Sequence, residues 1–212
     1  MNELLAQLTA NVHLTGDVHS DVTAFLIHHG CSKTADHCTS VAAEAKRLAA
    51  RFGADELLAQ TAGWLHDVSA VFPTPQRAQV ARQLGVEVLP EEAAAPMILH
   101  QKLSAVMAHK IFRVTNKATL SAIECHSTLK ANASLLDKVV FIADKIAWDQ
   151  SDTAPFLESV LASLEQSLDQ AVLRYLDYLW QQRDTVPVVH PWFVDAYEQL
   201  SRAFEENNEQ SS

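Results

Sequence analysis

Glycine and proline are scarce in this chain, and the stretches between them carry apolar residues at helical spacing. The 212 residues include only five glycines and seven prolines. Apolar residues recur every three to four positions from Asp17 to His29, and again before and after Gly53. We find no repeat, no linker and no useful strand alternation. The sequence therefore predicts an all-α fold, a single-domain helical bundle.

The positions of glycine and proline predict the segment boundaries. We expect an N-terminal helical segment over 1–30, the main domain over 31–205 and a disordered tail over 206–212. Local signals predict Thr34 as the cap of the helix that ends at Gly53, and a long helix from Thr153 to about residue 184.

Charge and cysteine content restrict the partners that the chain can have. Its 16 Lys and Arg residues against 26 Asp and Glu residues give a net charge of -10. Nucleic-acid binding through a basic face is therefore not expected, and a phosphate site needs a metal ion or placed basic residues. Three cysteines without CxxC spacing favour a reducing, cytoplasmic setting. We expect no signal peptide and no membrane span, and a homodimer is compatible with the sequence.

A histidine and an aspartate stand side by side in "TAGWLHDVSA", as His66 and Asp67, at the end of an apolar run. Burying such a pair is costly unless something compensates. His37 lies sixteen residues before Gly53 and His66 thirteen after it. In an antiparallel hairpin the two histidines would lie about 24 and 20 Å from the turn, at nearly the same level. A metal ion held between them is a plausible compensation.

Three further polar residues interrupt apolar helical stretches. Asp144 lies within "LLDKVVFIADKIAW", and His100 and His126 end the runs in "MILHQK" and "IECHS". A metal ligand is one interpretation of each. The alternatives are a salt bridge from Asp144 to a buried Lys or Arg, and ordinary core or surface histidines. Heights along the helices do not bring His126 level with Asp144.

The complete order of these six residues resembles the two-metal branch of the HD superfamily of metal-dependent phosphohydrolases, which is all-α. The chain looks most like the bacterial HD-domain hydrolases that split diadenosine tetraphosphate symmetrically into two ADP. The resemblance covers roughly residues 30–200 and is carried by "GWLHDVSAVFP", "ILHQKLSA" and "HSTLKANASLLDKVVFIADK". The residues in order are His37, His66, Asp67, His100, His126 and Asp144.

The resemblance implies a metal site and a role for each of these residues. They would hold two divalent or mixed-valent metal ions, with iron as the first choice and manganese, zinc or nickel as alternatives. His66 and Asp67 would be the catalytic pair, and Asp67 would bridge the ions. The ions would lower the pKa of a shared water and neutralise charge on the attacked phosphate.

Basic residues near the proposed ligands are candidates for substrate binding. Lys102, Lys130 and Lys145 each lie within a few residues of a ligand in sequence. The alternative for each is a solvated surface lysine. Trp148 could stack on a base or pack in the core.

Three departures from the diadenosine tetraphosphate hydrolases lie near the expected phosphate site. Ala70 replaces a usual lysine, Gln101 replaces a usual glycine, and an acidic-Pro-x-Arg turn is missing after Asp144. A phosphomonoesterase acting on nucleoside monophosphates or another small phosphate ester is therefore the alternative function. A non-catalytic nucleotide-binding module and an HD-type oxygenase are further interpretations.

Overall fold

The computed structural model describes residues 3–147 and 154–210, with side chains up to residue 206, and these residues contain helices but no strand. The predicted all-α fold is confirmed. No helix of this part of the chain has the length and apolarity needed to cross a bilayer. The helices are α1 (Glu3–Thr9), α2 (Val18–His28), α3 (Ser32–Phe52), α4 (Glu56–Leu65), α5 (Arg77–Gln83), α6 (Pro90–Ala94), α7 (His100–Lys110), α8 (Lys117–Glu124), α9 (Leu135–Ile146), α10 (Leu157–Leu164), α11 (Leu168–Gln181) and α12 (Pro191–Gln210).

Helices α3 and α4 form the expected hairpin. Gly53 has a φ of 80°, a left-handed conformation that glycine adopts without steric cost, and it ends α3. The Asp55 carboxylate accepts a hydrogen bond from the Leu58 N–H at 2.9 Å and so caps α4. The other end of α3 differs from the expectation. The helix begins at Ser32, so Thr34 lies inside its first turn and does not cap it.

Helix α4 ends at Leu65, directly before the His66–Asp67 pair. The backbone of Asp67 leaves the helical conformation, with φ -114° and ψ 17°, and a 3₁₀ turn follows over Val68–Val71. His66 and Asp67 therefore occupy a helix end rather than successive positions of one continuous helix. This bend sets the direction of the Asp67 carboxylate.

Small residues allow α3 and α4 to pack very closely. A Cβ atom added to Gly63 in α4 would lie 2.5 Å from the Cα of Ala42 in α3, far inside van der Waals contact. Ala45 and Ala49 of α3 and Ala59 of α4 are also fully buried. The two helices thus meet backbone to backbone, and the chain places glycine where contact is closest.

Helix α9 packs on both members of the hairpin and on α8. A capping box closes its first turn. The Ser134 hydroxyl accepts from the Asp137 N–H, and the Asp137 carboxylate accepts from the Ser134 N–H. Buried apolar residues over 139–143 fix its inner face against the hairpin. Asp144 is thereby carried to the open end of the hairpin.

The expected long helix up to residue 184 is wrong, because α10 and α11 are separate. Ser167 between them is extended, with φ -161° and ψ 159°, and its hydroxyl accepts from the Gln170 N–H. Thr153 lies outside the described residues. Helix α12 continues to Gln210, so the expected tail over 206–212 is helical as far as it is described.

We expect Gly63→Ala to lower the free energy of unfolding by about 1–3 kcal/mol, because the added methyl group forces α3 and α4 apart. The gain in helix propensity, about 1 kcal/mol, offsets only part of this. Urea unfolding followed by circular dichroism measures the change. Leu57→Ala, which truncates an exposed side chain of the same helix, is the control. A Gly63→Ala protein as stable as the wild type would contradict the close packing.

Candidate metal centre

Six side chains from five segments converge at the open end of the α3–α4 hairpin. These side chains form three overlapping groups of three. Within each group, histidine nitrogens and carboxylate oxygens lie within 4.8 Å of one another. The members are His37 in α3, His66 and Asp67 after α4, His100 at the start of α7, His126 after α8 and Asp144 in the last turn of α9.

One half of the cluster joins α3, α4 and α9. The Nε2 atoms of His37 and His66 are 3.3 Å apart, so the two histidines meet as their heights along the hairpin predict. Asp144 Oδ1 lies 3.1 Å from His37 Nε2 and 3.5 Å from His66 Nε2. These three side chains surround one small space with two imidazole nitrogens and one carboxylate oxygen.

The other half joins the segments that carry His100 and His126. Their Nε2 atoms are 2.9 Å apart. Asp67 Oδ1 lies 3.4 Å from His100 Nε2 and 3.7 Å from His126 Nε2. The second oxygen, Asp67 Oδ2, lies 3.7 Å from His66 Nε2. The two oxygens of one carboxylate therefore face the two halves of the cluster, which is the disposition of a bridging ligand.

Backbone carbonyl groups fix the tautomer of the histidines at helix ends. The rings of His66, His100 and His126 each place Nδ1 against the carbonyl oxygen three residues earlier. Because a carbonyl only accepts, Nδ1 carries a proton, and in the neutral form of each ring the lone pair is on Nε2. The acceptors are the carbonyl oxygens of Gly63, Met97 and Ile123, at 2.8, 2.6 and 2.8 Å.

This donor set fits a divalent metal ion. Two lone-pair nitrogens at 2.9 Å, on His100 and His126, repel each other unless a cation lies against them. Imidazoles that donate from Nδ1 to a carbonyl are the usual form of metal-bound histidine. Imidazole and carboxylate together suit iron, manganese, zinc or nickel more than calcium or magnesium.

Both carboxylates of the cluster are strongly acidic. Burial raises the pKa of Asp67, but the nearby histidines, His66 first, lower it further, to about 2. Burial also raises the pKa of Asp144, and the Lys145 ammonium and the His37 hydrogen bond outweigh this, so that the pKa lies well below its usual value. Both side chains are anionic at neutral pH, as metal ligands must be.

The histidines respond to the same charges. Burial lowers the pKa of His66, but the Asp67 carboxylate opposes this, and the pKa is raised well above its usual value. Burial lowers the pKa of His100, and it lowers that of His126 more strongly. The carboxylates thus favour positive charge at His66, whereas burial favours the neutral forms of His100 and His126, which can donate a lone pair to a metal ion.

Lys145 is the one predicted substrate-binding lysine that touches the cluster. Its Nζ lies 2.6 Å from Asp144 Oδ2 and donates to the carbonyl of His126 at 3.3 Å. The side chain is buried, with the rings of Phe141 and Tyr175 about it. The salt bridge considered as an alternative for Asp144 is therefore present beside its contacts with the histidines.

The ammonium groups of the other two predicted lysines bind elsewhere. Lys130 Nζ donates to the Ser121 hydroxyl at 2.8 Å. Lys102 Nζ lies 2.8 Å from Glu92 Oε1, and both side chains of this ion pair are buried. Lys102 Nζ also lies 4.8 Å from the centre of the Trp192 ring. Lys102 follows His100 by two residues, so it leaves α7 on a different face. Trp148 lies outside the described residues.

Arg77 is a basic residue beside the cluster that the sequence analysis missed. Its Nη1 donates at 2.9 Å to the carbonyl of Met97, which also accepts from His100 Nδ1. Its Nε donates to the carbonyl of Phe72 at 3.2 Å. Burial lowers the pKa of Arg77, and the charge of Asp67 opposes this. The guanidinium is thus held near His100 by two backbone groups.

Gln101, at the position where the resemblance implies a glycine, has a structural role here. Its Oε1 accepts from the N–H groups of Ser127 and Thr128 at 3.1 and 3.3 Å, and its Nε2 donates to the Thr128 hydroxyl at 3.0 Å. A buried glutamine therefore ties the turn after His126 to the start of α7. His100 and His126 are brought together in part by this clamp.

Comparison with known proteins agrees with this geometry. Residues 34–149 match the HD domain family. An "uncharacterized protein in pepC 5′region" of Lactococcus lactis subsp. cremoris is 46% identical over 139 residues, which are 66% of this chain and 70% of that protein. The symmetrical bis(5′-nucleosyl)-tetraphosphatase of Bacillus subtilis is 28% identical over 140 residues, 65% of this chain and 73% of that enzyme.

A solved structure shares the fold over nearly its whole length. It is a predicted HD superfamily hydrolase involved in NAD metabolism from Clostridium acetobutylicum, with a TM-score of 0.80 and 25% sequence identity. The superposition covers 87% of this chain and 97% of that one. The family match spans more than half of the chain and contains all six clustered residues. The chain therefore belongs to the HD domain family of hydrolases.

Proposed function

We propose that the protein is a metal-dependent phosphohydrolase that cleaves a phosphoanhydride bond of a dinucleoside polyphosphate, converting diadenosine tetraphosphate to two ADP. The observation that carries the proposal is the Asp67 carboxylate, whose two oxygens face two separate groups of histidines. Relatives named as symmetrical tetraphosphatases support the substrate class. HD domains bind divalent metals, which supports the cofactor.

In this proposal the six residues divide between two ions. His37, His66 and Asp144 would hold one ion, His100 and His126 would hold the other, and Asp67 would be shared by both. Iron is the first choice, with manganese, zinc or nickel as alternatives. A bound pair of ions would lower the pKa of a water between them and neutralise charge on the attacked phosphate. The Nδ1 hydrogen bonds keep the rings of His66, His100 and His126 oriented before substrate arrives.

The exposure of the side chains indicates the side from which substrate approaches. His66 and His126 are closed off from solvent, with 0% and 1% of their side chains exposed. Asp67 and His100 are open, with 27% and 20% exposed. A phosphate group therefore reaches the cluster from the side of Asp67 and His100. Arg77 lies on this side, because it shares the Met97 carbonyl with His100.

Arg77 is proposed to bind phosphate in place of the lysine that is missing at Ala70. Two of its five N–H groups are used to anchor it to the backbone. The three remaining N–H groups lie in the plane of the guanidinium and can donate to phosphate oxygens. The position of Arg77 also explains how an acidic protein can attract an anionic substrate locally.

Phosphomonoester hydrolysis is the second candidate function. It is favoured by Ala70 and by the pairing of Lys102 and Lys130 with other protein groups, which leaves fewer cations for a long polyphosphate. A single phosphate on a small ester needs less positive charge than four linked phosphates.

We expect Asp67→Ala to lose both metal ions, because it removes the carboxylate shared by the two halves of the cluster. Protein loaded anaerobically with iron or manganese and then desalted would be analysed for metal content. Asp36→Ala, which removes an exposed carboxylate one residue before His37, is the matched control and should keep the wild-type content. Two ions retained by Asp67→Ala would rule out a bridging role.

Product analysis tests the reaction. The metal-loaded protein would be incubated with diadenosine tetraphosphate, nucleoside mono-, di- and triphosphates and a generic phosphomonoester, and the products resolved by chromatography. We expect ADP as the sole product from the dinucleotide, and none from Asp67→Ala. Phosphate released only from monoesters would favour the second function. Bound nucleotide that is never cleaved would instead indicate a binding module.

Arg77→Ala tests the phosphate-binding role. A charge-assisted hydrogen bond is worth about 1.5–3 kcal/mol, so we expect KM for diadenosine tetraphosphate to rise about tenfold or more. The KM of Arg77→Lys should lie between those of the wild type and Arg77→Ala, since lysine keeps the charge but lacks the planar guanidinium. Arg82→Ala removes an exposed arginine of the same helix and should leave KM unchanged. An unchanged KM in Arg77→Ala would exclude contact with substrate.

A further inference from the structure

A largely apolar cavity of about 330 Å³ lies beside the candidate metal centre, between the start of α7 and the segment that joins α11 to α12. No acidic side chain is among the described residues that line it. Its apolar wall consists of Ala95, Ile98, Leu179, Val186, Val189 and Phe193.

Two residues that line the cavity also contact His100 of the candidate metal centre. Ser127 lines the cavity, and its hydroxyl lies 2.9 Å from His100 Nε2. Met97 also lines the cavity, and its carbonyl accepts from His100 Nδ1 and Arg77 Nη1. A ligand with its charged end at the histidines can therefore place an apolar end in the cavity.

Two large apolar side chains stand exposed at the cavity. Met97 is 62% exposed and Val186 is 44% exposed. Exposed apolar side chains that flank a concave surface are typical of ligand-binding grooves. One basic group, the Arg183 guanidinium, also lines the cavity, 4.8 Å above the Trp180 ring and bonded to the Trp180 carbonyl at 2.8 Å. A planar cation held in this way can stack on or bond to a heterocycle.

The wall of the cavity is held in place by polar contacts of the buried Glu92 carboxylate, so the cavity exists before a ligand binds. His190 lines it, and His190 Nε2 lies 3.3 Å from Glu92 Oε1. The same carboxylate binds Lys102 at 2.8 Å and accepts from the Leu89 N–H at 2.9 Å. The segment before α12 is thereby anchored to α6 and α7. Binding sites for small molecules are usually formed in advance in this way.

We propose that this cavity binds one nucleoside of the substrate, with the base against the apolar wall and the phosphates at the candidate metal centre. The volume is at the low end for small-molecule sites, which suits one nucleoside and not two. The inference rests on the proposed function, because it assumes that phosphates occupy the cluster. It goes further by naming the part of the protein that recognises the organic part of the substrate.

The test measures binding and needs no turnover. Titration calorimetry on manganese-loaded protein would give Kd for three probes, which are ADP, adenosine and inorganic pyrophosphate. Ala95→Trp fills the cavity, and Ala94→Trp, one residue earlier and exposed, is the matched control. Val186→Asn makes the wall polar at a position exposed enough to tolerate the change.

We expect Ala95→Trp and Val186→Asn to raise Kd for ADP about tenfold or more, as small changes in an apolar pocket do, and to leave pyrophosphate binding unchanged. Ala94→Trp should bind all probes as the wild type does. If both cavity variants bind ADP with unchanged Kd while pyrophosphate still binds, the cavity proposal is overturned and the phosphate site stands. If adenosine binds and the variants weaken it, but pyrophosphate does not bind, the cavity stands and the proposed function fails.

Discussion

The contact between Gly63 and Ala42 is the constraint on which both the fold and the cluster depend. Without a side chain at Gly63, α3 and α4 approach until their backbones touch. The same residue offers its carbonyl to His66 Nδ1 at 2.8 Å. The missing side chain allows the approach that brings the Nε2 atoms of His37 and His66 to 3.3 Å. The backbone carbonyl of the same residue determines which nitrogen of His66 faces the cluster, as the carbonyls of Met97 and Ile123 do for the other two rings.

The surrounding structure neutralises the negative charge of the cluster only in part. Two carboxylates, Asp67 and Asp144, are brought among buried imidazoles where solvent screens little. Lys145 neutralises one of them at 2.6 Å. The ion-pair contacts of Asp67 within residues 3–147 and 154–206 are with histidines, and none is with a lysine. The negative charge of Asp67 is therefore not neutralised by a lysine. Uncompensated negative charge of this kind contributes to the affinity of a site for metal cations.

The parts of this arrangement that follow from local rules were predictable from the sequence. The helical period and Gly53 predicted the hairpin, and the rise per residue predicted that His37 and His66 meet. The approach of His126 to His100 was not predictable, because it depends on Gln101 binding the turn at Ser127, a contact between distant segments. Helix ends at Ser32 and Ser167 were also missed. There, tertiary packing and a local cap overrode the apolar period.

Three consecutive residues of α7 show why substrate residues are harder to predict than ligands. Successive side chains of a helix point about 100° apart, so consecutive residues contact different parts of the structure. His100 faces the cluster, Gln101 holds the turn after His126, and Lys102 binds Glu92, which anchors the segment before α12. Proximity to a ligand in sequence therefore made Lys102 look like a phosphate-binding residue. Its contacts instead place it among the groups that hold the cavity wall, so α7 joins the cluster to the cavity within a single turn of helix.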